Sequence, residues 1–391
     1  MVHPGQERFS LTWRQLIFEK RRLAAALAGI SFAVLLILVQ IGFYSAMNNS
    51  ATKVLRHLNA QLVVIPAGFE FFGSNHDFAR MRLMQVAGIA GVKEVLPLYY
   101  SFCSFKNIDT GYQRWIFCIG LEPGRHMLTL PEVIAQENKM TITGDVLFDK
   151  KSLGTYFGTV VDNFNHDGPF AVTVEGRNVT IDGLFDLGVT FAAFGNVLMG
   201  VQTFFELFPN ASPNLVNVGL VRLKKGMDPG IMSKKISRVL DGKDIKVLTR
   251  AEFVQHEINY WNNTAAIGFL FIVGAIMGFI IGAVIVYQIL YTNVINHLPE
   301  FATLKALGYS DRFFFGLVLK QSLILSVLGF IPGTLLSWVI YHYTAAATGY
   351  TMNLSLDKAA IAFTSTAIMC VLAGLLAMRQ LKSADPAELF R

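Results

Sequence analysis

Side chains that could do chemistry are few in this chain, and they stand apart from one another. His76-Asp77 and His166-Asp167 each set an imidazole beside a carboxylate. Such a pair could begin a metal site, but a site needs three or four convergent ligands and neither pair has others near it in sequence; both read as surface loops. No Gly-x-x-x-x-Gly-Lys-Ser/Thr phosphate loop, no His-Glu-x-x-His helix and no paired-cysteine ligand motif occurs, which leaves nucleotide and zinc hydrolysis without a scaffold. No catalytic residue, metal or cofactor is therefore expected in the chain. Of the three cysteines, Cys370 lies in an apolar run, while Cys103 and Cys118 flank an expected hairpin turning at 109–112. A two-residue Thr110-Gly111 loop would set these two thiols opposite each other. Whether they form a disulfide or stay buried and free depends on strain and on the redox compartment, and both readings stand.

The elements that must carry these residues are dominated by four long apolar runs, 24–47, 264–292, 313–343 and 359–378, each long enough to cross a hydrocarbon core. With 15% charged residues and a mean hydropathy of +0.46, the composition departs from that of a soluble domain. The net charge of +6 needs no nucleic-acid partner. Arg8, Arg14, Lys20, Arg21 and Arg22 precede the first run, and Arg379, Lys382 and Arg391 follow the last. Positive charge marks the cytoplasmic side, which puts both termini inside a plasma membrane crossed four times. Segment 48–263 is then external, 293–312 a cytoplasmic loop, 344–358 a short external loop and 379–391 a cytoplasmic tail. The first run exceeds a secretory signal in length and lacks a clear cleavage site, and is expected to be retained. Segment 1–23 joins an apolar face at 10–18 to the basic end Lys20-Arg21-Arg22; it could lie on membrane lipid or simply extend the first span.

The external segment alternates strands and helices. Strands are expected at 61–65, 92–105, 114–121, 216–223 and 245–248, helices at 78–89 and 227–240, and a hairpin at 170–174 and 178–181 around Glu175-Gly176-Arg177. One or two α/β lobes follow, large enough to bury their own core. Phe69, Phe71, Phe72 and Phe78 serve either that core or a partner contact. In the second span Gly274, Gly278 and Gly282 recur every four residues, a nearly bare face for close helix packing, within the chain or between two copies. Ala25, Gly29 and Ala33 repeat the idea in the first span, and Gly329 and Gly333 flank Pro332 in the third, where a kink is expected. Lys320 alone is a formal charge well inside a span, either snorkelling to the interface or ion-paired. So little polar lining does not make a conducting path.

The second span and the loop behind it carry a resemblance. Tyr260-Trp261-Asn262-Asn263-Thr264, the glycine-spaced helix, Tyr287-Gln288-Ile289-Leu290-Tyr291 and Glu300-Phe301-Ala302-Thr303-Leu304-Lys305-Ala306-Leu307-Gly308-Tyr309 strongly resemble the FtsX-like, MacB-like ABC permeases. Within these the chain looks nearest to the DevC-type permease of cyanobacterial heterocyst glycolipid exporters, along nearly its whole length; segments 22–30, 247–253 and 384–390 also match that type. The resemblance implies an α-helical membrane protein with four transmembrane helices and a large α/β periplasmic domain of the MacB core type inserted between helices 1 and 2. It further implies a bacterial inner-membrane homodimer, ATP hydrolysis by a separate cytoplasmic ABC ATPase, a periplasmic membrane-fusion adaptor, an outer-membrane TolC-like duct, and a lipid-like or other amphiphilic cargo. A regulator of a periplasmic cell-wall hydrolase, as among the division-associated members, is the alternative. Within the cytoplasmic loop, Phe301, Leu304 and Leu307 would share an apolar face of a short helix, Glu300 and Lys305 would reach solvent, and Gly308 would cap its end. These six residues are the expected ATPase-coupling site, docking in a groove of the ATPase, against an interfacial helix that merely joins two spans.

Overall fold

From Lys20 to Ala51 the chain is one helix of 32 residues, since no proline and no charge beyond its basic start interrupts the apolar run. The computed structural model describes residues 20–190, 193–240, 244–299, 303–304 and 307–381. Segment 1–19, Glu300, Phe301, Lys305 and the tail from 382 lie outside the described residues. Two units divide the chain: one takes in Gly268–Thr344 with the chain up to Ser45 and from Met352 onward, the other Ala46–Ile267 with Ala345–Thr351.

The first unit is helical. Lys20–Ala51, Ile267–Asn296, Asp311–Thr348 and Leu356–Leu381 are the first to fourth spans, and all are long and apolar enough to cross a membrane. Even 26 residues, at about 1.5 Å each, outreach the roughly 30 Å hydrocarbon core. Pro332 lies inside the third span, which stays helical across it. The first span buries Ile30, Ala33, Val34, Ile37 and Leu38; Val286 and Leu290 of the second, Leu325 of the third and Met369 and Cys370 of the fourth pack with them.

The second unit is a mixed sheet flanked by helices. Its strands are β1 Leu62–Pro66, β2 Phe78–Ala79, β3 Val92–Lys106, β4 Gln113–Leu121, β5 Asp145–Asp149, β6 Phe170–Val174, β7 Arg177–Phe185, β8 Asn196–Gly200, β9 Leu215–Val216, β10 Val218–Leu223 and β11 Ile245–Thr249. Nine of them run in the order β11-β1-β10-β3-β4-β8-β5-β7-β6. The 15-residue β3 joins two lobes: its first half pairs with β10 and its second half with β4. A bridge between Phe105 and Val174 returns β6 to β3, closing six strands into a ring of pairings. Side chains of β1 alternate between two cores, Leu62 and Val64 in one, Val63 and Ile65 in the other, as a period of two requires. Strands β5 and β8 were invisible to alternation because both their faces are buried.

The hairpin β6–β7 turns on Glu175 and Gly176, both with positive φ, the conformation that matches strand twist in a two-residue loop. Hairpin β3–β4 departs from the expected two-residue loop. Lys106 pairs with Gln113, the Asn107 amide donates to Tyr112 O at 2.9 Å, and Asn107 Oδ1 accepts from the Asp109 and Thr110 amides, each at 2.9 Å. The side chain of Asn107 thus builds a longer turn, and the register moves by two. Cys103 faces Ile116 and Cys118 faces Ser101. The thiols meet diagonally rather than directly opposite, with Cα atoms 6.4 Å apart, and form a disulfide. Replacing both by serine is expected to lower the stability of the second unit by about 3 kcal/mol, the chain-entropy value for a loop of this length; urea unfolding of the oxidised chain and of the variant measures it. Equal midpoints would mean that the link adds nothing.

Candidate coupling elements

Helix packing in the first unit is organised by glycine. A Cβ built on Gly274 would lie 2.5 Å from Gln40 Nε2, one on Gly278 would lie 3.0 Å from Leu36 Cβ, and one on Gly282 would lie 2.5 Å from Met369 Sδ and closer still to Ala33 Cβ. The ladder of the second span is thus spent within the chain, mainly against the first span, at positions that step back by three or four residues as helical pitch demands. Gly333 of the third span would meet Val34 Cβ at 2.7 Å, and Ser31 Oγ donates to Gly329 O at 3.1 Å. Tyr341 OH donates to Leu38 O. Gly29 and Ala33 join this packing, whereas Ala25, expected beside them, is exposed.

Behind the second span, three of the six expected coupling residues are described. Leu304 is half-buried and packs against Val294, Phe314, Leu317, Val318 and Met378. Leu307 is 73% exposed. The two leucines therefore part company instead of sharing one outward face: Leu304 anchors the loop to the helices and Leu307 projects from it. Gly308 has φ +95°, and the Tyr309 amide donates to Leu304 O at 3.2 Å. That six-to-one bond over a left-handed glycine is the Schellman ending of a helical turn, which a Cβ would strain. Lys320 is half-buried, and among the described residues no carboxylate stands within ion-pair distance of it. A long stem reaching toward the interface accounts for it.

The second unit holds its chemistry-bearing residues apart. His166 Nδ1 bonds only its neighbour Asp167, at 2.5 Å on an exposed helix end, and no group of three ligating side chains converges among the described residues. Phe69, Phe72 and Phe78 are buried in the cores, and Phe71 stacks on Tyr260 at 5.0 Å and meets Trp261 at 5.2 Å. The aromatic cluster is packing. Sequence reading missed the buried carboxylates, Asp149 and Glu257 among them. Asp149 accepts from the Lys151, Leu187 and Gly188 amides and from Asn196 Nδ2, and so ties the 187–196 loop to β5; burial still pushes its carboxyl up. Glu257 lies in the helix Arg250–Asn259, opened by a capping box between Thr249 and Glu252. Its carboxylate accepts from the Phe72 amide and the Trp261 indole, both at 2.8 Å. Burial pushes it up to about 7, against those two donors. The signal was present: Phe253, Glu257 and Trp261 recur every four residues, which sets a carboxylate on the face a helix buries. A π-helical turn, Tyr260–Thr264, and Ala266 at φ +56° follow directly and lead into the second span.

Residues 256–386, from this junction through the glycine ladder and the loop to the fourth span, match the family model of the FtsX-like permease C-terminal region. This part of the chain resembles the FtsX-like permeases. Over greater length, two uncharacterized ABC transporter permeases of Mycobacterium tuberculosis are 21% identical across 379 and 383 residues, 96% of this chain and 97% of each relative. One from Mycobacterium bovis matches to the same extent over 379 residues. Among solved structures, the extracellular domain of the noncanonic ABC-type transporter YknZ from Gram-positive bacteria aligns at 15% identity and a TM-score of 0.35, over 48% of this chain and 98% of that one. The periplasmic region of MacB from Actinobacillus actinomycetemcomitans aligns at 11% identity and a TM-score of 0.32, over 51% and 92%. The match begins one residue before Glu257, within the last turns of the Arg250–Asn259 helix.

Proposed function

We propose that this chain is the membrane subunit of an ABC-type exporter, and that it transmits motion instead of lining a path. The observation that carries the reading is the FtsX-like region itself, built on spans that pack through glycine, alanine and aliphatic side chains with uncharged polar groups such as Ser31, Gln40 and Ser322 among them. Close-packed helices of this kind shift as rigid bodies, because interfaces packed to this density repack in steps and do not deform smoothly. A separate cytoplasmic ABC ATPase supplies the energy and binds the ATP. The loop residues Glu300, Phe301, Leu304, Lys305, Leu307 and Gly308 form its docking element, with Leu307 the projecting anchor. Both termini are cytoplasmic, the membrane is the bacterial inner membrane, and the inserted domain stands in the periplasm. There it hands motion to a membrane-fusion adaptor and a TolC-like outer-membrane duct. Two copies of the chain form the working permease. The cargo is a lipid-like or amphiphilic molecule, with a glycolipid of the DevC type as the specific case.

Purification of the tagged chain from its native membrane in mild detergent, with mass spectrometry of what stays bound, tests this reading. Recovery of a phosphate-loop ATPase together with a membrane-fusion adaptor is the expected result. An ATPase accompanied by a cell-wall hydrolase would replace export by regulation, and no ATPase at all would overturn the permease role.

A further inference from the structure

Three carboxylates are buried in the second unit among the described residues: Glu137, Asp149 and Glu257. Glu137 is met by His126 Nδ1 at 3.0 Å, and Asp149 has four N–H donors with Lys53 nearby. Glu257, 1% exposed, has two donors and no cation. A cavity of about 10 Å³ opens beside it, walled by Val54, Phe72, Phe117, Thr190 and Trp261, which is close to the space that one water occupies. The titratable groups that feel its charge are Tyr100 of β3 and Tyr260 of the π turn after its helix, both neutral over the physiological range. Charged residues on the packed segments are directed elsewhere: Glu70 and Asp77 act on Tyr260 and Tyr100, and Lys53 on Asp149. His256 beside it is itself half-buried and shifted toward its neutral form by burial.

We propose that Glu257 is a proton-operated latch, closing the Arg250–Asn259 helix and the π turn against the Phe72 loop when protonated and loosening them when ionised. A neutral carboxyl can accept from both the Phe72 amide and the Trp261 indole while its own hydrogen points to a water in the cavity. A carboxylate keeps both bonds but leaves a bare charge in an apolar pocket, which two neutral donors compensate only in part. Opening lets water reach that charge. The direction follows from the proton balance. The latched state holds its proton up to pH about 7, whereas the opened state loses it near the ordinary glutamate value of 4.5. Latching is therefore fully present below pH 4.5, weakens by about tenfold per unit as pH rises from there toward 7, and is level above. That this latch sets how firmly the inserted domain drives the second span rests on the permease reading; the latch itself does not.

Hydrogen exchange of the intact chain in detergent, followed by mass spectrometry of peptides covering 66–76 and 250–264, tests the latch without ATPase or cargo. Rates of wild type are divided by those of Glu257→Gln at the same pH, which cancels the intrinsic pH dependence of exchange. Glutamine keeps one acceptor and cannot titrate, so it supplies a reference whose own latching does not change with pH. The expected ratio at pH 8 exceeds that at pH 5 on the order of a hundredfold. A ratio that stays flat across this range overturns the proposal. Should the glutamine variant not fold, Glu257→Ala serves: it leaves both donors without an acceptor, so both peptides should exchange fast at every pH, and alanine peptides as protected as those of wild type at pH 5 would equally overturn it. Loss of the permease role would leave every one of these readouts unchanged.

Discussion

Gly282→Leu should insert into the membrane yet fail to give a monodisperse, folded helix unit. The added side chain would start 2.5 Å from Met369 Sδ and nearer still to Ala33 Cβ, so the first and fourth spans would both have to retreat. Overpacking of a well-packed core costs about 1–3 kcal/mol where one neighbour can yield; here neighbours on two helices are met at once. In a bilayer no hydrophobic force pushes helices together, and close van der Waals contact across small residues holds them. Loss of that contact is not made good elsewhere. Thermal unfolding in detergent measures the effect, with Gly316→Leu in the third span as the control, because nothing lies within 4 Å of a Cβ there. Wild-type midpoints for both variants would remove glycine packing as the organising feature of the spans.

Leu307→Asp is expected to abolish stimulation of the cognate ATPase while leaving the chain folded. Leu307 is the exposed leucine of the loop, so a charge there costs little in the free protein. If it is the apolar anchor in a groove of the ATPase, its loss removes a contact of the hot-spot class, about 2 kcal/mol or roughly thirtyfold in affinity. Leu304→Asp would also stop stimulation, by another route: Leu304 packs against Phe314, Leu317 and Met378, and a buried carboxylate there would unsettle the loop itself. The two variants separate in thermal stability, unchanged for Leu307→Asp and lowered for Leu304→Asp. Normal ATPase stimulation by Leu307→Asp in proteoliposomes would discard the coupling role of this loop.

Much of this protein was legible because membrane spans and half-buried strands write their physics locally. An uninterrupted apolar run longer than a bilayer has one solution, a helix, since backbone polar groups in hydrocarbon must be satisfied within the segment. The four spans, the strands at β1, β3, β4 and β10, the hairpin on Glu175 and Gly176, and the glycine ladder all follow from period and composition. The same locality explains the misses. Strands β5 and β8 are buried on both faces and carry no alternation. The β3–β4 loop was misjudged by two residues because the side chain of Asn107 bonds backbone that spacing alone cannot assign.

Sequence by itself determined the class of molecule: a membrane protein of four spans with one large α/β insertion. It also showed which faces of the helices are bare. What those faces meet was decided only in three dimensions, where Gly274, Gly278 and Gly282 find the first span and Leu304 turns inward while Leu307 turns out. The state of Glu257 was decided there as well. A carboxylate four residues before a tryptophan has no protonation preference of its own; the Phe72 amide, the Phe117 ring and a cavity with room for one water come from segments far away in the chain. Burial, set against the Phe72 amide and Trp261 indole donors, is a property of that assembled pocket, and it shifts the balance toward the protonated form.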